Sequence, residues 1–296
     1  MLRPSRFRSG NHFKPFIPPT VILSFVSFVN IANVERVSFA MPLDENRALI
    51  EPRKGKGEPL LPPSSILVFT PQDVELFLRR FASAVVKTHT VCLSQVYTIR
   101  CGERVVSLVG PLLGAPQAVM VLEKLIALGV REVVAQGWCG SLQSHVVIGD
   151  VVLPVNAVSE EGTSAHYPLT AAGPSPPTDL TRTLGKNLVR AGLRLHGGAV
   201  WTTDAPYRET VGKVLNYQRR GILAVEMETS ALLTVARFRG ISLAIALVVS
   251  DELSSLKWVH GFRRRVFHET REKLVSVILE TFCGRGISAA FEARES

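Results

Sequence analysis

The stretch Gly221-Ile222-Leu223-Ala224-Val225-Glu226-Met227-Glu228-Thr229-Ser230-Ala231-Leu232-Leu233-Thr234-Val235-Ala236 decides the fold. Its first part is a short apolar run headed by glycine, and its second part is apolar at helical spacing. That change of period predicts a buried strand running into a helix, with two carboxylates at the junction. In extended backbone, residues two apart point to the same side, so Glu226 and Glu228 are expected to face one cavity. A second apolar strand, Ile241 to Val249, ends in Ser250-Asp251. Acids at a helix start have an ordinary explanation in the helix dipole. It does not account for two apolar strands that both end in acid, and three carboxylates at the ends of neighbouring strands point to a site.

Outward from this stretch, apolar runs alternate with helical patterns in the α/β manner. Strands are expected at Ile66–Phe69, Val91–Thr98, Arg104–Val109, Glu132–Ala135, Asp150–Asn156 and Ala199–Thr203. Helices are expected at Asp73–Val86, Ala115–Leu128 (ended by Gly129, a common C-terminal cap), Asp179–Ala191 and Trp258–Phe282. The proline-rich stretch Leu169–Asp179 reads as a surface loop. No repeat or internal linker interrupts the series, so one α/β domain is expected over residues 64–290.

Residues 1–63 read as an N-terminal extension without folded structure. No acid precedes Glu35, and the apolar run Val21–Val34 is too short and too polar for a membrane span. A signal or transit peptide is one reading of the Arg-rich start, but Glu35-Arg36 sits awkwardly before the small-residue site at Ala40. The preferred expectation is that Met41 is the true start, residues 1–40 are an upstream extension, and residues 42–63 form a mobile lead-in.

The composition, 46% hydrophobic and 20% charged, suits a packed core and argues against disorder. The formal charge is +9, and residues 1–60 hold nine Lys/Arg against five Asp/Glu, so about half the excess lies outside the domain. No basic stripe interleaved with aromatics runs through the body, which argues against a nucleic-acid partner. The sharpest basic cluster is Arg263-Arg264-Arg265. Cys92, Cys101, Cys139 and Cys283 are scattered without a CxxC pair. That predicts free thiols in a reducing, cytoplasmic setting, and neither a disulfide framework nor a metal site. Cys139 has no evident histidine partner, so it is not expected to be a nucleophile.

Five segments, in order over residues 64–280, carry a family likeness. They are Val109-Gly110-Pro111-Leu112-Leu113-Gly114-Ala115-Pro116; Gly137-Trp138-Cys139-Gly140-Ser141 through Asp150-Val151-Val152; Thr202-Thr203-Asp204-Ala205-Pro206-Tyr207; Glu226-Met227-Glu228; and Val249-Ser250-Asp251. Together they resemble the nucleoside phosphorylase superfamily, which holds purine nucleoside phosphorylases, uridine phosphorylases and adenosylhomocysteine-type nucleosidases. The resemblance implies a central mixed β-sheet flanked by helices and cleavage of a nucleoside's N-glycosidic bond, as in purine salvage. It also implies a homo-oligomer, no cofactor, no metal, and no membrane or nucleic-acid partner.

By that resemblance Glu228 binds the ribose hydroxyls, Met227 packs under the sugar and Glu226 lines the pocket. Gly114, Gly137 and Trp138 belong to the two glycine loops, and Tyr207 to the base pocket. Asp251 would donate to N7 of a purine leaving group, which requires a raised pKa that the apolar strand before it can supply. Arg264, with Arg263 and Arg265 beside it, lies at the spacing of an assisting arginine. The base pocket is mixed: the central motif resembles uridine phosphorylase, yet Arg208-Glu209-Thr210 stands where that subfamily grips uracil. Asp251 favours purines.

The phosphate site departs furthest from the family. Phe69-Thr70-Pro71-Gln72-Asp73 has no glycine loop, Ala135 stands at an arginine position, and Trp138 replaces a small hydroxyl residue. A phosphate needs paired cationic donors, so water becomes a competing acceptor, with Asp73 as the expected base. Uridine phosphorylase-type activity and a non-catalytic nucleoside-binding role are the alternatives.

Overall fold

A computed structural model describes residues 47–81, 84–168 and 178–284. Residues 1–40 and most of the expected proline-rich loop lie outside the described residues. The strands are β1 (Ser64–Val68), β2 (Val85–Val91), β3 (Ser94–Cys101), β4 (Arg104–Gly110), β5 (Glu132–Ser141), β6 (Val151–Glu160), β7 (Leu195–Thr203), β8 (Ala224–Glu226), β9 (Ser242–Glu252) and β10 (Val259–His260). The helices are α1 (Pro71–Phe81), α2 (Gly114–Ala127), α3 (Asp179–Arg190), α4 (Val211–Arg219), α5 (Thr229–Arg239) and α6 (Arg265–Cys283).

The strands form one mixed sheet in the order β10-β9-β6-β7-β8-β5-β1-β4-β3-β2. β5 also pairs with β9, which closes β5, β9, β6, β7 and β8 into a ring. β5 runs parallel to β1 and β9 and antiparallel to β8, so its C-terminal end at Gly140-Ser141 meets both acid-bearing strands. The two acidic strands are therefore neighbours of β5 and not of each other. The near-continuous apolar runs of β1, β5 and β9 fit strands buried on both faces. α2 packs on α5, and α6 packs on α1 and α3.

Four sequence expectations are corrected. The first helix stops at Phe81, because the β-branched Val85 and Val86 begin a strand. The expected strand Val91–Thr98 is a hairpin turned at Cys92 and Leu93, with Cys92 at φ 45°. The closing helix starts at Arg265 and not at Trp258. The aromatic segment before it pairs back on β9, His260 opposite Asp251, and Gly261 packs so tightly on Ile148 that a Cβ would lie 2.4 Å from it. Finally, Cys101 and Cys283 are joined in a disulfide with their Cα atoms 6.0 Å apart. Two cysteines 182 residues apart in sequence meet because β3 and α6 end side by side, which spacing alone could not reveal; Cys92 and Cys139 are the free thiols.

The domain's contacts begin before the expected boundary at residue 64. Leu61 is buried and its N–H donates to the Leu128 carbonyl at 2.8 Å. Lys124 reaches the Arg53 carbonyl and the Glu58 carboxylate, both at 2.6 Å. No helix among the described residues is long and apolar enough to cross a membrane.

Candidate active site

β8 ends at Glu226 because the chain turns at once into α5. The Glu226 carboxylate makes that turn: Oε2 accepts the N–H groups of Glu228 at 2.8 Å and Thr229 at 2.7 Å. These are orphan donors of the helix start, and Glu226 caps them from two residues upstream. Its other oxygen accepts the Thr202 hydroxyl from β7. Glu226 thus braces the site from beneath, while Glu228 lies at the first residue of the helix turn.

One oxygen of Glu228 accepts the Gly114 N–H at 2.6 Å, tying the α5 start to the loop after β4. Gly114 sits at φ +75°, a conformation that favours glycine. Glu228 is 5% exposed, and no described residue pairs a cation with it. Burial, and then the neighbouring Glu226 charge, push its pKa up to about 8. Burial also raises Glu226, against the opposing bonds from Thr202 and the two N–H groups. Met227 lies between them, half-buried.

Asp251, near the end of β9, approaches β5 so closely that a Cβ on Gly140 would lie 3.0 Å from its Oδ2. The Ser250 hydroxyl donates to Oδ1 at 2.7 Å and the Trp258 indole to Oδ2 at 3.0 Å. Burial raises the Asp251 pKa, and the Glu252 charge adds to it, while those two donors oppose the rise. Cys139 is buried, and its thiol is pushed well up by burial and by the charges of Asp251 and Glu226, so it is an inert sulfur beneath the site.

The acceptor side is built differently. Asp73, in the first turn of α1, is fully buried and both of its oxygens are taken. Oδ1 accepts Arg271 Nε at 2.6 Å and Oδ2 accepts the Trp138 indole N–H at 2.7 Å. The Arg271 guanidinium lies over the Trp138 ring at 4.9 Å and the Phe267 ring at 5.2 Å. A water-activating base needs a free lone pair facing solvent; here Asp73 is instead the counter-ion of Arg271.

Of the remaining sequence-expected residues, Gly137 is buried against Phe69, where a Cβ would lie 2.2 Å from the ring. Tyr207 stands 99% exposed on a short 3-10 turn, so in this state it is neither core nor wall. Arg264 is exposed and precedes α6, with no side-chain partner to Asp251. Sequence reasoning missed Arg271 and Trp258. Arg271 did leave a signal, being a lone charge on the apolar stripe of Phe267, Leu274, Val275 and Ile278. Among the described residues no group of three or more His, Cys, Asp or Glu is set to hold a metal ion.

A closed mixed sheet, a carboxylate tied to a glycine loop, and an acid at the end of the neighbouring strand define the class. The Phosphorylase superfamily profile matches residues 65–282, and the chain belongs to that superfamily. The DeoD-type purine nucleoside phosphorylases of Bacillus cytotoxicus and Bacillus cereus are each 32% identical over 154 residues. Those matches span 51% of this chain and 65% of the relatives, less than two thirds of their length. In structure, the chain is similar to the uridine phosphorylase of Vibrio fischeri (TM-score 0.65, 23% identity, 76% of this chain and 93% of that one). It is also similar to the purine nucleoside phosphorylase of Toxoplasma gondii in complex with immucillin-H (TM-score 0.66, 19% identity, 79% and 93%). At those identities the likeness is one of fold.

Proposed function

We propose that this protein cleaves the N-glycosidic bond of a purine nucleoside, with water as its favoured acceptor. The observation that carries the reading is Glu228, a buried carboxylate without a cation, held by one backbone N–H beside a glycine loop. A carboxylate in that setting accepts hydrogen bonds from the ribose hydroxyls and stabilises positive charge developing on the sugar. In this reading the C1′–N9 bond breaks with its electron pair passing into the base. Asp251, whose burial favours the protonated form, gives its proton to N7 as the base leaves. Water adds through oxygen to C1′, and the proton it sheds restores Asp251.

Water is favoured over phosphate by what surrounds Trp138. The indole is drawn to Asp73, and the cation stacked on it among the described residues, Arg271, is already neutralised by that carboxylate. Ala135 is fully buried and offers no donor. Phosphate needs several oriented donors and compensating positive charge, whereas water needs little room, and an oxocarbenium-like sugar is readily trapped by it.

The test is a panel of purine and pyrimidine nucleosides, incubated with and without phosphate, with base and sugar products resolved. Free base and free ribose in phosphate-free buffer are expected. Ribose 1-phosphate as the only sugar product, with no turnover until phosphate is added, overturns the choice of acceptor. No cleavage of any nucleoside, despite binding, leaves a non-catalytic nucleoside-binding protein.

A further inference from the structure

Asp251 is covered on both of its oxygens, and the two covers differ. Oδ1 accepts the Ser250 hydroxyl at 2.7 Å, and Ser250 is buried, with its hydroxyl also 3.3 Å from the Cys139 carbonyl. Oδ2 lies against the β5 backbone, where a Cβ on Gly140 would come within 3.0 Å of it, and accepts the Trp258 indole N–H at 3.0 Å. Trp258 itself is 64% exposed. The chain that carries it is held on both sides. Leu253 N–H donates to the Ser141 carbonyl at 2.8 Å, the Gln218 amide to the Ser254 carbonyl at 2.9 Å, and Gly261 N–H to the Ser250 carbonyl at 2.7 Å. The indole can therefore leave Oδ2 by turning about its own side-chain bonds, with its backbone in place.

We propose that Trp258 is a positioning residue for the leaving-group step: in the empty site its indole occupies the Asp251 oxygen that the base must reach, and a bound nucleoside takes its place. This rests on the nucleoside-cleavage reading of the site.

The reason lies in which groups can donate. An indole N–H only donates, so the oxygen that receives it is held as an acceptor, the opposite of what a proton donor to N7 must be. Ser250 does not stand in the way, because its hydroxyl can turn to the Cys139 carbonyl and accept in its turn. The indole thus opposes protonation of Asp251 in the empty site. Once it has turned away, Oδ2 is a shielded carboxylate oxygen without a donor. It takes a proton from water and passes that proton to N7 as the C1′–N9 bond breaks. The indole on Asp73 offers a contrast: Trp138 is packed against Phe262, Phe267 and Arg271, whereas Trp258 faces solvent.

Other ionisable groups also bear on Asp251: Glu252 on its own strand, His260 opposite it on β10, Cys139 on β5 and Glu209 before α4. Trp258→Phe leaves all of them in place. It also keeps a ring beside His260 and Phe262, whose ring centres lie 5.6 and 6.4 Å from that of Trp258. What it removes is the N–H. Loss of a donor to the carboxylate raises the pKa of Asp251, so activity that needs its proton survives to higher pH.

The test compares the pH profiles of kcat/KM, which reports the free enzyme, and of kcat, which reports the complex. Wild type and Trp258→Phe are given purine riboside. The reference substrate is 4-nitrophenyl riboside, whose leaving group departs as the phenolate and needs no proton. In Trp258→Phe the alkaline limb of kcat/KM for purine riboside should move up by about half to one pH unit. The limb of kcat should stay, because in the complex the indole has already left. Above the wild-type limb, kcat/KM for purine riboside relative to the nitrophenyl riboside should rise about three- to tenfold. Limbs that move together would leave the indole on Asp251 in the complex. Limbs that both stay would take it out of the proton's path, and equal losses on both substrates would make Trp258 structural. Each of these overturns the proposal while wild-type turnover of purine riboside keeps the cleavage reading standing. If the wild type cleaves neither compound, the nucleoside reading itself fails.

Discussion

Asp73 and Glu228 are both buried carboxylates near a helix start, and their surroundings are opposite. Asp73 meets a guanidinium and an indole N–H, so both of its oxygens are satisfied and its charge is matched. Glu228 meets a backbone N–H and, behind it, another acid. The first arrangement fixes α6 against α1 and leaves nothing for a ligand. The second costs stability in the empty protein, and in the proposed reading a ligand satisfies it, which is what a binding carboxylate requires. Burial alone therefore does not mark a functional acid; burial without a cation does.

The largest effect should come from breaking the closed pair. Arg271→Met leaves Asp73 buried without its counter-ion and should destabilise the fold by about 3–5 kcal/mol, read from denaturant unfolding. Asp73→Leu combined with Arg271→Met removes both charges and should recover most of that loss, since an apolar pair of similar volume is often neutral or better. If Arg271→Met unfolds at the wild-type midpoint, Asp73 is not closed, and it regains its candidacy as a water-activating base.

On the open side the expected effect falls on rate. Glu228→Gln keeps size and the bond from Gly114 but can no longer ionise to meet the positive charge that develops on the sugar. Nucleoside cleavage should drop by roughly a hundredfold or more, equivalent to about 2.7–4 kcal/mol of transition-state stabilisation. The unfolding midpoint should hold or rise, because an acid whose ionisation burial opposes has been replaced by a group that does not ionise. An unchanged rate on good ribonucleosides would put ribose binding elsewhere, and a lowered midpoint would make Glu228 structural like Asp73.

The contrast between these two acids was half legible in the sequence. The strand-to-helix junction at Glu226-Met227-Glu228 and the acid ending the Ile241–Val249 run are local patterns, and the fold keeps both. Which acid has a partner is not local. Asp73 meets Arg271, 198 residues away, and Cys101 meets Cys283 across 182, through packing that no period encodes. Glu226 and Glu228 were expected to share a face because extended backbone alternates. The strand ends one residue too soon for that, and Glu226 folds back to cap the helix that Glu228 begins. Trp258 to Arg264 read as helix on apolar content, yet Gly261 and the pairing of His260 with Asp251 bring those aromatics onto the acidic strand.

The smallest effect separates the two sides by titration. Glu228 ionises near its ordinary value of 4.5 when the chain is unfolded and near 8 when it is folded. Between those values the folded state keeps a proton that the unfolded state has lost, so unfolding releases it and rising pH favours unfolding. The contribution is fully present below about 4.5 and is lost as pH climbs through about 8. Near neutrality one such group tilts stability by at most about 1.4 kcal/mol per pH unit. Glu209 and Asp251 tilt it in the same direction, so the measurement is a difference: denaturant unfolding of wild type and Glu228→Gln between pH 6 and 8. The wild type should lose stability with rising pH more steeply, with a gap of up to about one proton's slope. Parallel curves would mean that Glu228 is ionised throughout, as a carboxylate with a hidden cationic partner would be, and the distinction drawn from Asp73 would fail at its open end.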